Sequence, residues 1–225
     1  MTRYDLPGAP AARATHMYYD PEKNLRTPSQ RHDVLNALVA PRPIGWISSM
    51  GADGSINLAP FSYFNAVSSD PPIVMVAIAD KPSDGTPKDT LRNVREVPQF
   101  VANIVSWELR EAMNSSSKGL SYGASEFDFA GLSAAASVVV KPPRVAAAKA
   151  ALECEVIQIV PLPEGSRGRN HVVFGRVVGV HVDDSVIVDG RIDPRLVGHV
   201  ARLGYHDYLF VRDVFVMRRP DKPAG

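Results

Sequence analysis

The segment from Pro41 to Asn65 constrains the fold most, because it contains two strand-like runs joined by a short turn. The turn is predicted at Ala52–Gly54, where Asp and Gly tolerate a positive φ. In the second run Pro60 interrupts the strand pattern, and a proline, which has no amide hydrogen, is accepted at sheet edges and bulges rather than in central strands. The pattern is compatible with an ordinary edge hairpin carrying a bulge at Pro60. It is equally compatible with a strand whose freed backbone groups meet a polar, planar ligand.

The composition is that of a globular protein with a full core. Of the 225 residues, 45% are hydrophobic and 22% charged, which argues against a disordered chain and makes disulfides or metals unnecessary for stability. Lys and Arg number 25 against 24 Asp and Glu, so no concentrated positive field favours nucleic acid or an anionic membrane as a partner. The single cysteine, Cys154, lies in an alternating pattern and is expected to be buried. With no apolar run long enough for a signal peptide or a membrane span, we expect a cytoplasmic protein.

The pattern along the chain predicts many strands and few helices. We expect an irregular arm at 1–30, one domain at 31–217 and a tail at 218–225. Short helices are predicted at Gln30–Val39, from Thr86 to before Pro98, and at Trp107–Asn114. After the hairpin, strands are predicted at Ile73–Ala79 (fully buried), Gln99–Val105, Val138–Val140, Ala151–Val160, His171–Val182 and Tyr208–Met217. Without repeated strand–helix units, this order favours a mainly β fold, an antiparallel barrel with helices packed at its ends.

The segment from Thr86 to Thr90 predicts a helix start that could bind an anion. Thr86 is expected as the N-cap, with Pro87 in the first helical position and Asp89 in the third. Free amides, the ammonium of Lys88 and the hydroxyl of Thr90 suit a phosphate monoester. An ordinary capped helix with an exposed Lys88 is the competing interpretation.

Motifs of nucleotide and metal chemistry are absent from the sequence. It contains no G-x-G-x-x-G after a strand and no P-loop, and its six histidines show no metal-binding spacing. No metal site is therefore expected. The long non-periodic segment Ser115–Ser133 is of the kind that is usually functional or flexible.

The hairpin and the helix start belong to a series of motifs that together resemble the flavin reductase-like family of FMN-binding split barrels. The motifs are Pro41–Ser49, Asn57–Ser62, Asn65, Ser69–Pro72, Lys88–Asn93, Ser125–Phe127, Ala130–Leu132, Ala151–Cys154, Gly190–Pro194 and Arg202–Gly204. Their order and spacing, from about residue 30 to 217, are specific although each alone is weak. The resemblance implies a homodimer of six-stranded antiparallel Greek-key barrels with flanking helices, and FMN near the subunit interface.

The resemblance also assigns cofactor-binding residues by position. It implies that the FMN phosphate and ribityl chain contact residues of the first strand and of the helix start, and that the isoalloxazine ring contacts the second strand of the hairpin. The first group is Ser48, Ser49, Lys88, Asp89 and Thr90, and the second is Ala59, Pro60, Phe61, Ser62 and Asn65. Trp46 is a further candidate for the flavin wall, although a tryptophan in a strand is more often part of the core. Where the family commonly has a small residue after Arg-Leu-Gly, this chain has Tyr205 and then His206, which leaves substrate access open.

The function implied by the resemblance is an NAD(P)H-dependent flavin reductase. Hydride would pass from the nicotinamide of NADH or NADPH to N5 of FMN, so no general acid or base is required and no catalytic side chain is assigned. A second hypothesis is a flavoprotein that holds FMN tightly and serves an electron acceptor or an oxygenase partner. A third is a split barrel that binds another ligand without catalysis.

Overall fold

A computed structural model describes residues 34–81, 83–165 and 168–220 of the chain. The predicted arm 1–30, the start of the predicted helix Gln30–Val39 and the end of the predicted tail lie outside these residues. The strands are β1 (Arg42–Pro43), β2 (Gly45–Met50), β3 (Ile56–Phe61), β4 (Phe64–Ser69), β5 (Pro72–Ala79), β6 (Gln99–Ile104), β7 (Ala134–Ala135), β8 (Arg144–Val145), β9 (Ala150–Pro161), β10 (Asn170–Val182), β11 (Ile187–Val188), β12 (Arg191–Ile192), β13 (Val200–Arg202) and β14 (Tyr208–Phe210). The helices are α1 (Val34–Leu38), α2 (Asp89–Glu96), α3 (Arg110–Ser115), α4 (Glu126–Phe129) and α5 (Pro194–Val197).

The main sheet has seven strands, all antiparallel, in the order β3-β2-β6-β9-β10-β5-β4. Its two edge strands, β3 and β4, follow each other in the chain with only Ser62 and Tyr63 between them. Phe61 and Phe64 can be at most about 11 Å apart, so the sheet must curl until its edges meet. This closure confirms the predicted mainly β, antiparallel fold with peripheral helices, with seven strands where the resemblance implies six.

The opening hairpin is confirmed, and it forms an edge of the sheet without a bulge. Strands β2 and β3 pair in unbroken register from Gly45 opposite Phe61 to Met50 opposite Ile56, and Gly54 in the turn has a φ of 84°. The amide of Leu58 points away from β2, toward Glu126. By the two-residue period of a strand, Pro60 faces the same way, so the proline removes no hydrogen bond from the ladder.

Two apolar cores lie on the two faces of β2. Ile47 belongs to the interior of the barrel, together with Phe100 and Val173, whereas Trp46 packs outside it with Phe127 and other residues beneath the helices. Strand β2 is therefore buried on both faces. Strand β5, in contrast, is buried on one face only: Val74, Val76 and Ile78 are buried, and the residues that alternate with them are partly exposed. The prediction that this strand is fully buried is therefore wrong.

Most predicted elements are confirmed, with three corrections. Val138–Val140 is not a strand, because the amides of all three residues donate to the carboxylate of Glu153, at 2.6 to 3.0 Å, instead of joining a ladder. The last strand ends at Phe210 rather than Met217. Helix α2 begins at Asp89 with Lys88 as N-cap, whereas the hydroxyl of Thr86, the predicted cap, donates to Asp84.

Cys154 is fully buried, as predicted, and burial raises the pKa of its thiol to about 12. Among the helices of the described residues, none combines the length and apolar character needed to cross a lipid bilayer.

Candidate functional site

A groove of about 690 Å³ runs between strand β3, the start of α2 and the loop that follows α3. It combines positive charge, open backbone groups and apolar surface. The lining residues of the described chain are Asn57, Ala59, Pro60, Phe61, Lys81, Ser83, Lys88, Asp89, Thr90, Ser116, Ser117, Lys118, Gly119, Leu120 and Glu126.

One end of the groove is the N-terminus of α2. Lys88 is its N-cap residue, with extended backbone, and no side chain of the described residues caps the helix there. The first amides of the helix thus stay available, with the partial positive charge of the helix terminus. Burial lowers the pKa of Lys88, whose ammonium lies 6.0 Å from the centre of the Phe61 ring.

Two side chains next to this terminus are held by neighbours. Asp89 accepts from the ammonium of Lys81 at 2.7 Å, so that its negative charge is compensated within the groove. Thr90 is almost fully buried, and its hydroxyl accepts from the amide group of Asn57 at 2.9 Å. Because this bond uses a lone pair, the hydroxyl hydrogen of Thr90 is still available to a ligand.

Glu126, at the start of α4, places a buried carboxyl beside strand β3. Its Oε2 accepts from the amide of Leu58 at 3.0 Å and so covers one donor of the open edge. Burial raises the pKa of Glu126, with a smaller contribution in the same direction from the charge of Asp89. The carboxyl therefore holds its proton more readily than an exposed glutamate does.

Beyond Pro60 and Phe61 the groove continues into a second cavity of about 400 Å³, which we call the arginine compartment. Pro60, Phe61 and Ser117 line both cavities. The other lining residues of the described chain are Asn36, Arg42, Ile44, Ser62, Met113, Asn114, Arg202, Leu203, Tyr205, His206 and Tyr208. The two residues that break the family pattern, Tyr205 and His206, thus lie in the same cavity as the end of β3.

The structure brings together most of the predicted cofactor-binding residues. Those that line the groove are Ala59, Pro60, Phe61, Lys88, Asp89 and Thr90, and Ser62 lines the arginine compartment. They come from β3, the turn after it and the start of α2, so the hairpin and the helix start line adjoining cavities.

Ser48 and Ser49 do not join them, which corrects their assignment to a phosphate site. Both are completely buried, since β2 is covered on both faces. The hydroxyl of Ser48 donates to the carbonyl of Pro143 at 2.5 Å, and that of Ser49 accepts from Asn93 at 3.2 Å. Their polar groups are used inside the protein.

Trp46 and Asn65 also lie outside the lining. Trp46 is completely buried, and its Nε1 donates to the hydroxyl of Ser116 at 2.8 Å. Trp46 therefore belongs to the core, in agreement with the alternative interpretation of a strand tryptophan. Through its hydrogen bond it also holds Ser116, which lines the groove. Asn65 is exposed on the edge strand β4, where its side-chain oxygen accepts from the amide of Ala66.

Sequence reasoning did not assign the loop that closes the groove opposite α2. Ser116–Leu120 contributes hydroxyls, a glycine and the ammonium of Lys118 to the lining. The only signal was the length of the non-periodic segment Ser115–Ser133, which marks a functional loop but no particular residue. Glu126 lies in the family motif Ser125–Phe127, but the resemblance assigned no role to it.

Comparison with known proteins places these features in a family. The model of the family described as "Flavin reductase like domain" matches residues 38–202. A protein of Aquifex aeolicus is 39% identical over 179 residues, which covers 79% of this chain and 88% of that protein.

Two solved structures are similar to this fold. Nitrilotriacetate monooxygenase component B from Bacillus cereus is 30% identical with a TM-score of 0.82, and the match covers 90% of this chain and 99% of that one. A structure from Shewanella frigidimarina assigned as a flavin reductase with a split barrel domain has a TM-score of 0.76, at 21% identity, over 91% and 100% of the two chains. The latter likeness supports the split-barrel fold alone.

Proposed function

We propose that this chain, which belongs to the flavin reductase-like domain family, binds FMN in the groove and accepts hydride from NADH or NADPH. The observation that carries the proposal is the pairing of an uncapped helix N-terminus beside Lys88 with the open edge of β3 in one groove. A long molecule with a phosphate at one end and a polar ring at the other matches this arrangement.

The start of α2 fits the phosphate. A phosphate there would accept from the first amides of the helix and from the hydroxyl of Thr90, beside the ammonium of Lys88. The half-buried position of Lys88 strengthens its attraction for an anion, since water screens the interaction less. Lys118, on the opposite loop, adds a second ammonium to the lining.

The end of β3 fits the ring. The carbonyls of Leu58 and Pro60 point to the open side of the edge strand and offer acceptors to the polar margin of the isoalloxazine. Phe61 and the proline ring supply apolar surface on the same wall. Bound FMN would supply the hydride acceptor, and the chain's own residues would orient the ring and exclude water. We assign no general acid or base.

The absorption spectrum of the purified protein, recorded before and after addition of NADH or NADPH without oxygen, tests this function. We expect a flavin spectrum that bleaches on reduction. A flavin spectrum that millimolar nucleotide leaves unchanged would refute the reductase, and a colourless protein that takes up no FMN would favour a non-catalytic barrel.

A matched pair of variants tests the phosphate site. Lys88→Ala combined with Thr90→Ala removes the ammonium and the hydroxyl, and we expect FMN affinity to fall about tenfold or more, the value of one or two charge-assisted hydrogen bonds. Ser48→Ala is the control, because its hydroxyl is buried away from the groove. Equal FMN affinity in the double variant and the wild type would exclude this site.

A second candidate function is that of a flavoprotein that holds FMN tightly and acts with an oxygenase partner. The similarity to nitrilotriacetate monooxygenase component B, at 30% identity over nearly the whole chain, favours it. Dialysis against FMN-free buffer tests this candidate, because such a flavoprotein retains FMN, whereas release of FMN as an exchangeable substrate would count against it.

The proposal includes a homodimer in the cytoplasm. After β14 the chain continues without a strand partner and exposes three consecutive apolar side chains, Phe215, Val216 and Met217, to 82%, 87% and 81%. A second copy would remove this apolar surface from water. Sedimentation should show a dimer that Phe215→Glu with Val216→Glu dissociates, while Val138→Glu, at an exposed position elsewhere, leaves it intact.

A further inference from the structure

We propose that the arginine compartment binds the anionic group of the second substrate, a carboxylate or a nucleotide phosphate, next to the end of β3. The inference deepens the proposed function and rests on it only in calling the bound molecule the second substrate. The anion site itself follows from the charges of the compartment.

Arg42 supplies a buried positive charge to this cavity. Only 7% of the residue is exposed, and its guanidinium donates to the carbonyls of Asn36, Val39 and Leu203. All three acceptors are neutral. Its Nε is buried without a hydrogen-bond partner, so that a donor as well as the charge is left unsatisfied.

Arg202 adds a second guanidinium, which is partly exposed. Its two terminal nitrogens donate to the hydroxyl of Tyr208 and to the carbonyl of Tyr205, and its guanidinium lies 4.5 Å from the centre of the Tyr208 ring. These partners hold the group in place without neutralising it. A fixed guanidinium on an aromatic ring is well suited to binding a carboxylate or a phosphate.

No aspartate or glutamate occurs among the described residues that line the compartment. Two guanidinium groups without a carboxylate in the same lining make the compartment attractive to an anion, most of all at Arg42, whose charge is shielded from water. The groove at α2 differs, since its lysines are accompanied by Asp89 and Glu126.

Tyr205 gives the compartment its shape. It has a φ of 56°, a conformation that costs a residue with a side chain about 1 kcal/mol, and it lies in the turn that Arg202 holds through the carbonyl of Tyr205. With Tyr208, it adds an aromatic side chain to the lining. The compartment therefore fits a planar molecule that carries a negative charge.

Calorimetric titration of the full-length protein tests the site with three probes: benzoate, ADP-ribose and the neutral benzamide. We expect at least one anion to bind tenfold or more tightly than benzamide, by the value of a charge-assisted hydrogen bond. Preference for benzoate would identify a carboxylate, and preference for ADP-ribose a nucleotide phosphate. Anions that bind no better than benzamide would overturn the proposal.

Arg202→Gln should weaken binding of the preferred anion about tenfold, and Arg202→Lys by less, with FMN affinity unchanged within about twofold. Arg110→Gln is the control, because Arg110 lies over the ring of Trp107 in a neighbouring cleft and does not line the compartment. Equal effects of Arg110→Gln and Arg202→Gln would contradict the assignment. Should Arg202→Gln fail to fold, the salt dependence of wild-type anion binding decides, since affinity independent of salt would refute a charge-based site.

The same titrations on FMN-free protein distinguish this proposal from the function. Anion binding by a protein that takes up no FMN would refute the flavin assignment and retain the anion site. Conversely, bleaching of FMN by NADH in a protein that binds anions no better than benzamide would retain the flavin assignment and refute the anion site.

Discussion

Substitution of Glu153 by glutamine should destabilise the fold strongly at neutral pH. The carboxylate is completely buried in β9 and accepts from the amides of Val138, Val139 and Val140, and it lies 2.5 Å from Nε2 of His181. Burial alone would raise the pKa of Glu153, but the amide of Val138, the imidazole and the other two amides outweigh it and lower the pKa from 4.5 to about 2.

This shift sets the magnitude. A difference of about 2.5 units at 1.36 kcal/mol each corresponds to about 3 kcal/mol of stability from the ionised carboxylate at neutral pH. Glutamine cannot supply the charge, and its amide group would face backbone donors. We therefore expect Glu153→Gln to lower the free energy of unfolding by about 2 to 4 kcal/mol at about pH 7.

The pH dependence gives the sharper test. Because the folded pKa is lowered, the stabilisation is complete above about pH 4.5 and is lost as the pH falls toward about 2. The difference between wild type and variant should therefore narrow by roughly 1 kcal/mol between about pH 7 and about pH 3.5. Urea-induced unfolding at several pH values measures both quantities.

Glu155→Gln is the matched control. Glu155 lies two residues away on the same strand, but its ion pair with Arg176 is exposed to solvent. Such pairs contribute about 0 to 1 kcal/mol, so this variant should remain close to wild type. The reasoning fails if both variants cost the same, or if the loss in Glu153→Gln does not change with pH.

Three further outcomes follow from backbone and core positions. Gly175→Ala should lower the free energy of unfolding by about 1 to 3 kcal/mol, because a Cβ there would lie 2.6 Å from Cε1 of the buried Phe100. Gly119→Ala is the control, because a Cβ at Gly119 meets nothing within 4 Å. Equal melting temperatures of the two variants would refute this. Cys154 should react with an aromatic disulfide reagent only after unfolding, because burial raises its pKa to about 12, and rapid labelling of the native protein would contradict that. Tyr205→Gly should raise stability by up to about 1 kcal/mol by relieving a positive φ, which thermal unfolding would detect.

Strands were predicted correctly where a segment with a strand-like sequence pattern also has neighbouring strands to pair with in the sheet. Gln99–Ile104 and Asn170–Val182 have such partners on both sides, and their bounds agree with the pattern within two residues. Val138–Val140 has equally strong strand propensity but no strand partner, because Glu153, more than ten residues away, takes its amides. A contact between distant residues cannot be derived from a local pattern.

The same limit explains the two serines. A pair of hydroxyls at the end of a strand indicates a polar environment, but the sequence does not say whether a ligand or the protein satisfies them. Ser48 and Ser49 point to opposite faces of β2, and both faces are covered by core residues. Their hydroxyls accordingly bond to Pro143 and Asn93. The helix start, in contrast, was predictable as part of the candidate site, because free amides at a helix N-terminus follow from helix geometry alone.

Pro60 shows how the two interpretations of the hairpin combine. The edge interpretation is correct for the ladder, since Pro60 takes the outward position that needs no hydrogen bond to β2. The same orientation leaves the outward carbonyls of β3 facing the groove, where Glu126 covers only the donor of Leu58. The proline thus prevents another strand from pairing at this edge while it leaves acceptors for a ligand. The edge of β3 is therefore protected against a further strand and open to a planar ligand, as the proposed binding of FMN needs.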